Sequence, residues 1–280
     1  DFAVVGAYNE DHDTIGGNYL ANSGSVYVYK RDASGNWIQK QKLVASDRNA
    51  SDNFGSAVAI SGDYIIVGAY NEDENASGTA TLGAAGSAYI FERNITDIWV
   101  QKQKIVASDR ASSDNFGVSV SISGSYAIVG AHLEDEDVSG LNTLSKAGSA
   151  YIFERDGTGV WTQKQKLVAG DRNSLDEFGN AVSISGDYAI VGSHKDDEDA
   201  LGTNFLNQSG SAYIFKRSLT GVWSQQQKIV SSDRDIYDTY GFSVSISGDY
   251  VIVGAYQEAH DASGANSISA AGSSYIYERS

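Results

Sequence analysis

The sequence has no cysteine, no proline and no methionine in 280 residues. Without cysteine there is no disulfide, no thiol nucleophile and no thiolate metal site. That absence does not name a compartment, because repeat arrays can be secreted without cysteine. Without proline there are no proline kinks and no proline-marked strand edges. Positive charge is scarce: 20 Lys and Arg stand against 36 Asp and Glu, giving a formal charge of −16 and a pI of about 4.5. An acidic chain repels phosphate backbones, so nucleic acid is not an expected partner. No window holds 18 consecutive apolar residues, so membrane insertion is not expected. Helical periodicity is missing too.

What is present is one 62-residue repeat, without an insertion or deletion. Gly6, Gly68, Gly130, Gly192 and Gly254 share one column. Trp37, Trp99, Trp161 and Trp223 share another, and Gly55, Gly117, Gly179 and Gly241 a third. A period this strict points to a repeat architecture. The core is aromatic and β-branched, with 17 Tyr and 9 Phe, which favours strands.

Each repeat predicts four strands. Residues 116–123 alternate, with Val118, Val120 and Ile122 on one face and serines on the other; this is strand A. Gly124-Ser125 makes a tight turn into strand B, the apolar run 126–130. A polar, acidic loop over 131–147 leads to strand C, 148–155. The turn 156–159 leads to strand D, 160–168, and 169–177 links to the next A strand. Strand D is polar (Gln39-Lys40-Gln41-Lys42 and its copies), as suits an outer edge that must not pair with other chains. A lone sheet of this kind cannot cover both apolar faces; stacking copies about an axis does so. The expected fold is all-β, a β-propeller with strand A at the axis and D at the rim. One array over 1–280 is expected, with blades at 52–113, 114–175 and 176–237 and partial blades at 1–51 and 238–280.

The Phe-Gly that opens strand A (Phe54-Gly55, Phe116-Gly117, Phe178-Gly179, with Tyr240-Gly241) and the Val-Gly-Ala that closes strand B resemble FG-GAP repeats. These form the blades of integrin α-subunit propellers and of many bacterial surface and secreted proteins. The resemblance implies an extracellular or cell-surface β-propeller. Two departures matter. The family's Gly-Ala-Pro is here Gly-Ala-Tyr, Gly-Ala-His or Gly-Ser-His. The integrin calcium loop between strands A and B has no room at Gly186-Asp187, so those calcium sites do not carry over.

Strands B and C occur five times, A and D four times. A closed five-bladed ring, an arc of a larger propeller, and open edges that pair with another chain all remain expectations. Asp1 falls in mid-repeat, in the column of Asp63, Asp187 and Asp249, as in a trimmed piece of a longer product.

B–C and D–A loops should share one face, and that face collects acid. The carboxylates and amide are Glu10, Asp11 and Asp13; Glu72, Asp73 and Asn75; Glu134, Asp135 and Asp137; Asp196, Asp197 and Asp199; and Glu258 and Asp261. Clustered oxygens suit Ca2+, which takes six to eight of them. The same residues also suit a solvated acidic rim. All four histidines lie in these loops, one per loop, so zinc would have to join different blades. The repeated Asp-Arg pair (Asp47-Arg48 and its copies) reads as an Arg fork held to the following Asp that braces the turn into strand A, or as a site for an anionic ligand. The Trp column reads as packing against its own blade or as a platform for sugar stacking. Almost every polar residue recurs by symmetry and no Ser sits in a nucleophile elbow, so an enzyme is not expected. The expected partner is a protein or glycan ligand at a cell surface, or copies of the chain itself.

Overall fold

A computed structural model describes residues 1–260 and 267–279. Eighteen strands form five antiparallel sheets. The first sheet holds β1 (Phe2–Ala7), β2 (Ser25–Arg31) and β3 (Trp37–Leu43). The second holds β4 (Val58–Ser61), β5 (Tyr64–Ala69), β6 (Ser87–Arg93) and β7 (Trp99–Ile105). The third holds β8 (Ser119–Ser123), β9 (Tyr126–Ala131), β10 (Ser149–Arg155) and β11 (Trp161–Leu167). The fourth holds β12 (Val182–Ser185), β13 (Tyr188–Ser193), β14 (Ser211–Arg217) and β15 (Trp223–Ile229). The fifth holds β16 (Tyr240–Ser247), β17 (Tyr250–Ala255) and β18 (Ser273–Glu278). The first sheet lacks a strand of the A type and the fifth one of the D type. The chain divides into two compact units: Asp1–Val129 with Glu154–Gln163, and Gly130–Phe153 with Lys164–Ser280.

The A–B turn has the two residues expected: Ser61 pairs Tyr64 and Ser185 pairs Tyr188. Gly62 sits there at φ 57° and Gly186 at φ 58°, the left-handed region that glycine enters without cost. Strand B is buried on both faces, with Ile65, Ile66, Val67 and Ala69 fully enclosed. In the first unit Ile65, Val67 and Ala69 pack with Val26, Val28, Phe54, Tyr89, Phe91 and Trp99 into one core.

The Phe-Gly pairs at Phe54, Phe116 and Phe178 do not open a ladder strand as their alternation suggests, whereas Tyr240-Gly241 does open β16. Paired strand A begins later, at Val58 or Ser119. Phe54 instead reaches back to the preceding repeat, where it bridges Gly24 and its N–H donates to the Ser23 carbonyl at 3.1 Å. The Phe54 ring is fully buried against Tyr89 and Phe91. The glycine that closes strand B is required by this same junction. A Cβ on Gly68 would lie 1.9 Å from the Gly117 carbonyl oxygen, so only glycine admits the next repeat.

The tryptophans also bind repeats together. Trp99 packs edge-on against Phe2 and Trp161 against Tyr64, each in the preceding repeat, and not against its own blade alone. Gln41 clamps the Trp99 backbone, donating to its carbonyl at 2.8 Å and accepting from its N–H at 2.9 Å. Gln103 does the same at Trp161 and Gln165 at Trp223. A side-chain amide satisfies two backbone groups there that no neighbouring strand reaches.

Candidate functional site

The two loop sets meet as expected, but through different bonds. The Arg of each Asp-Arg pair does not brace the following Asp. Arg48 donates to the carbonyls of Asp11 and Asn18, both at 2.9 Å; Arg172 donates to Asp135 and Asn142, and Arg234 to Asp197 and Asn204. Five fixed donors suit the Arg to gather loop carbonyls. The following Asp turns to its own loop: Asp52 accepts from the Asn49 N–H and Asp176 from that of Asn173. Burial, opposed by that hydrogen bond, pushes the Asp52 carboxyl up to about 7 and Asp176 to about 8. In the fifth sheet's loop burial raises Asp238 only to about 6.

The acidic columns of the B–C loops separate into three jobs. The first column points inward. Glu72 is fully buried, 2.8 Å from Lys104 Nζ, which also lies 2.8 Å from Asp47. Ser87 Oγ–H and the Glu74 N–H donate to the same carboxylate. Glu134 is held by Lys166 at 2.9 Å, and Asp196 by Lys228 at 2.8 Å. Glu10 is held by Lys42 at 3.0 Å and by Tyr27 Oη–H at 2.7 Å, bonds that lower its pKa strongly. So Lys42, Lys104, Lys166 and Lys228 of the D strands are not edge guards: each ammonium pairs with a carboxylate in the B–C loop of its own sheet. Glu258 has no such lysine among the described residues. It accepts from Ser273 Oγ–H and the His260 N–H, and faces His260 Nδ1 at 3.2 Å.

The second column caps a left-handed residue. Asp11 accepts from the Asn22 N–H, Asp73 from Ala84, Asp135 from Lys146 and Asp197 from Gln208, all within 2.7 Å. Each donor sits at φ between 51° and 53°. The third column makes Asx turns, in which Asp13, Asn75, Asp137 and Asp199 each accept two N–H groups from the next four residues. These bonds hold Asp13, Asp137 and Asp199 below the usual carboxylate range. Asp261 lies outside the described residues. Any Ca2+ bound by these loops has to compete with internal N–H and ammonium donors for the same oxygens.

One station departs from the symmetry. The left-handed residue before Phe-Gly is Asn53, Asn115, Glu177 and Thr239 in successive repeats, at φ 53° to 57°. Asparagine suits that backbone and donates across the junction, Asn115 to the Tyr70 carbonyl at 3.2 Å. Glu177 cannot donate. It is buried, accepts from Lys195 Nζ at 2.6 Å and lies 3.5 Å from His194 Nε2. Burial pushes His194 down to about 4 and lowers His132 as well, against the pull of Glu177. The Nδ1 atoms of His132 and His194 are buried without a hydrogen-bond partner. Glu177 and Lys195 do not recur in the other repeats, so the periodic pattern does not reveal this station. Reading the columns for disagreement (Tyr8, Tyr70, His132, His194, Tyr256) marks it.

The five sheets and their 62-residue period define an all-β repeat protein with the blade architecture of a β-propeller. A family model described as FG-GAP repeat matches residues 37–91, 99–153, 161–215 and 223–277, each match running from the Trp of one D strand into the C strand of the next sheet. The chain belongs to the FG-GAP repeat family. A crystal structure of a protein from Lactobacillus plantarum is similar, with TM-score 0.55 and 12% identity over 99% of this chain and 67% of that one; at that identity the likeness concerns the fold alone. No curated protein matches the sequence. Among the described residues no helix is long and apolar enough to cross a membrane.

Proposed function

We propose that the chain is a non-catalytic binding module, extracellular or at a cell surface, that presents its B–C and D–A loops to a protein or glycan ligand. The observation that carries this reading is the Glu177–His194–Lys195 station. The loop framework is repeated and internally bonded, so the side chains that depart from the repeat single out one loop position, where Lys195 remains partly exposed beside the buried Glu177. Loops on a rigid scaffold are the usual place for recognition. The test restores the repeat at that station, with Glu177→Asn, His194→Tyr and Lys195→Asn together, in pulldown and glycan-array binding. The expected outcome is loss of binding with the melting temperature held or raised. Unchanged binding overturns the assignment. Calcium enters as an optional ligand of the same loops: a melting temperature equal in Ca2+ and in chelator removes it.

A second reading is a structural subunit that assembles through strand edges. The free edges of β1 and β18 favour it. Sedimentation decides it, since a monomer at all concentrations counts against self-assembly.

A further inference from the structure

Trp99, Trp161 and Trp223 are buried and offer no ring face for sugar stacking. A tyrosine elsewhere does. Tyr237 lies in the D–A loop before β16, in the column of Ser51, Ser113 and Leu175. All four stand in the left-handed region, at φ 66° to 75°, where a bulky side chain is uncommon. Each donates its N–H to a carbonyl of the B–C loop of the sheet just completed, that of Ala21, Gly83, Ser145 or Asn207, at 2.8 to 2.9 Å. All four residues are exposed, in the inner repeats as much as in the last. Exposure here is therefore a property of the loop face. In the fourth sheet both partners of this contact change together. Asn207 stands where the others have Ala, Gly and Ser, and its Nδ2 donates to Tyr237 Oη at 2.9 Å. The tyrosine is thus pinned at both ends by one residue, its N–H on the Asn207 carbonyl and its Oη on the Asn207 amide. The ring lies along the loop and remains 48% exposed. Two residues before Asn207, Phe205 stands where the second and third sheets have Thr81 and Thr143, and it too is exposed.

We infer that the Tyr237 ring is the stacking platform of a site for a neutral glycan, taking one hexose or N-acetylhexosamine unit of an oligosaccharide. This rests on the binding-module reading and names its ligand class. A pyranose ring presents a patch of C–H groups with slight positive charge, which suits the negative face of an aromatic ring. Its hydroxyls need a few placed polar groups at the rim of that face. Asn207 and Asp235 are both exposed beside Tyr237 in the same pair of loops. An aromatic ring fixed before binding also spares the cost of ordering it. A protein ligand calls for a wider apolar centre than one ring and its neighbours. The formal charge of −16 disfavours sialylated and sulfated sugars.

The test applies the full chain to immobilised neutral oligosaccharides of glucose, galactose, mannose and N-acetylglucosamine, with sialylated and sulfated members alongside. Neutral members are expected to bind and anionic members to be ignored. Tyr237→Ser, which restores the residue of Ser51 and Ser113, should weaken binding about tenfold or more. Its melting temperature should be held or raised, since a bulky side chain leaves a left-handed position. Asn207→Ala keeps the ring but unpins it, and should weaken binding less than Tyr237→Ser. Undiminished binding by Tyr237→Ser overturns the site, as does a preference for the anionic members. If the variant restored at Glu177, His194 and Lys195 loses binding while Tyr237→Ser keeps it, the binding-module reading stands and this site falls. A blank array with a protein captured in pulldown overturns the glycan class and leaves the module reading. Blanks in both overturn the two together.

Discussion

The second and fifth sheets are built from the same repeat, yet they are in different physical situations. Gly68 in the second is pressed by the Gly117 carbonyl. Gly254 in the fifth meets only Ser243 of its own sheet. Glu72 is neutralised by Lys104, while Glu258 has a hydroxyl, an N–H and an imidazole. Ile90 is fully buried, and Ile276 in the same column is 72% exposed. The glycine contrast shows that part of what the repeat encodes is the junction with the next one, and the Glu72 contrast that a sheet's own D strand supplies the charge its loop carboxylate needs. Residues that look invariant for their own strand are answering a neighbour.

The steepest way to break the comparison is at the glycines. Gly68→Ala places a Cβ inside a backbone carbonyl and should cost about 3 kcal/mol or more, with the junction forced apart. Gly254→Ala should cost under about 1 kcal/mol, because Ser243 Oγ can rotate away. Urea unfolding of both variants checks this, and equal losses would end the junction reading.

Tryptophan gives the next largest difference. Trp161 is 2% exposed on the Tyr64 ring, and Trp37 is 48% exposed. Trp161→Ala should cost about 3–5 kcal/mol, and Trp37→Ala about 1 kcal/mol or less, by the same unfolding measurement.

A smaller effect sharpens the contrast through pH. The folded-state pKa values of Asp52, Asp176 and Asp238 are raised, so the native state holds protons that the unfolded chain has released. Their stabilising contribution is complete below the unfolded pKa near 4 and is lost as pH rises through about 6 to 8. The depressed Asp13, Asp137 and Asp199 work in the opposite sense, losing their contribution only as pH falls below the usual carboxylate range. Melting temperature should therefore decline from pH 5 to pH 8. Asp176→Asn should flatten that decline more than Asp238→Asn, since the Asp176 carboxyl is raised further. A flat profile in the parent chain would refute this.

Much of this fold could be read from periodicity. Alternation at 116–123, the Gly-Asp turns and the apolar runs of strand B gave sheets, turns and burial. What could not be read were contacts whose partners stand a repeat apart. Gln41 clamps Trp99 and Lys104 reaches Asp47, both across more than fifty residues. A polar strand with alternating Gln and Lys looks the same whether its lysine faces water or a buried glutamate. The candidate site was hidden for a related reason. Glu177, His194 and Lys195 are ordinary in isolation and mean something only against Asn53 and Asn115.

The most direct measurement is the melting of Glu72→Gln beside Glu258→Gln. Removing Glu72 strands Lys104, which keeps only Asp47, in a buried site and should cost about 3 kcal/mol. Removing Glu258 strands no lysine and should leave stability unchanged or slightly raised. Equal destabilisation by the two substitutions would contradict the view that the D-strand lysine is what holds the buried carboxylate of its sheet's B–C loop.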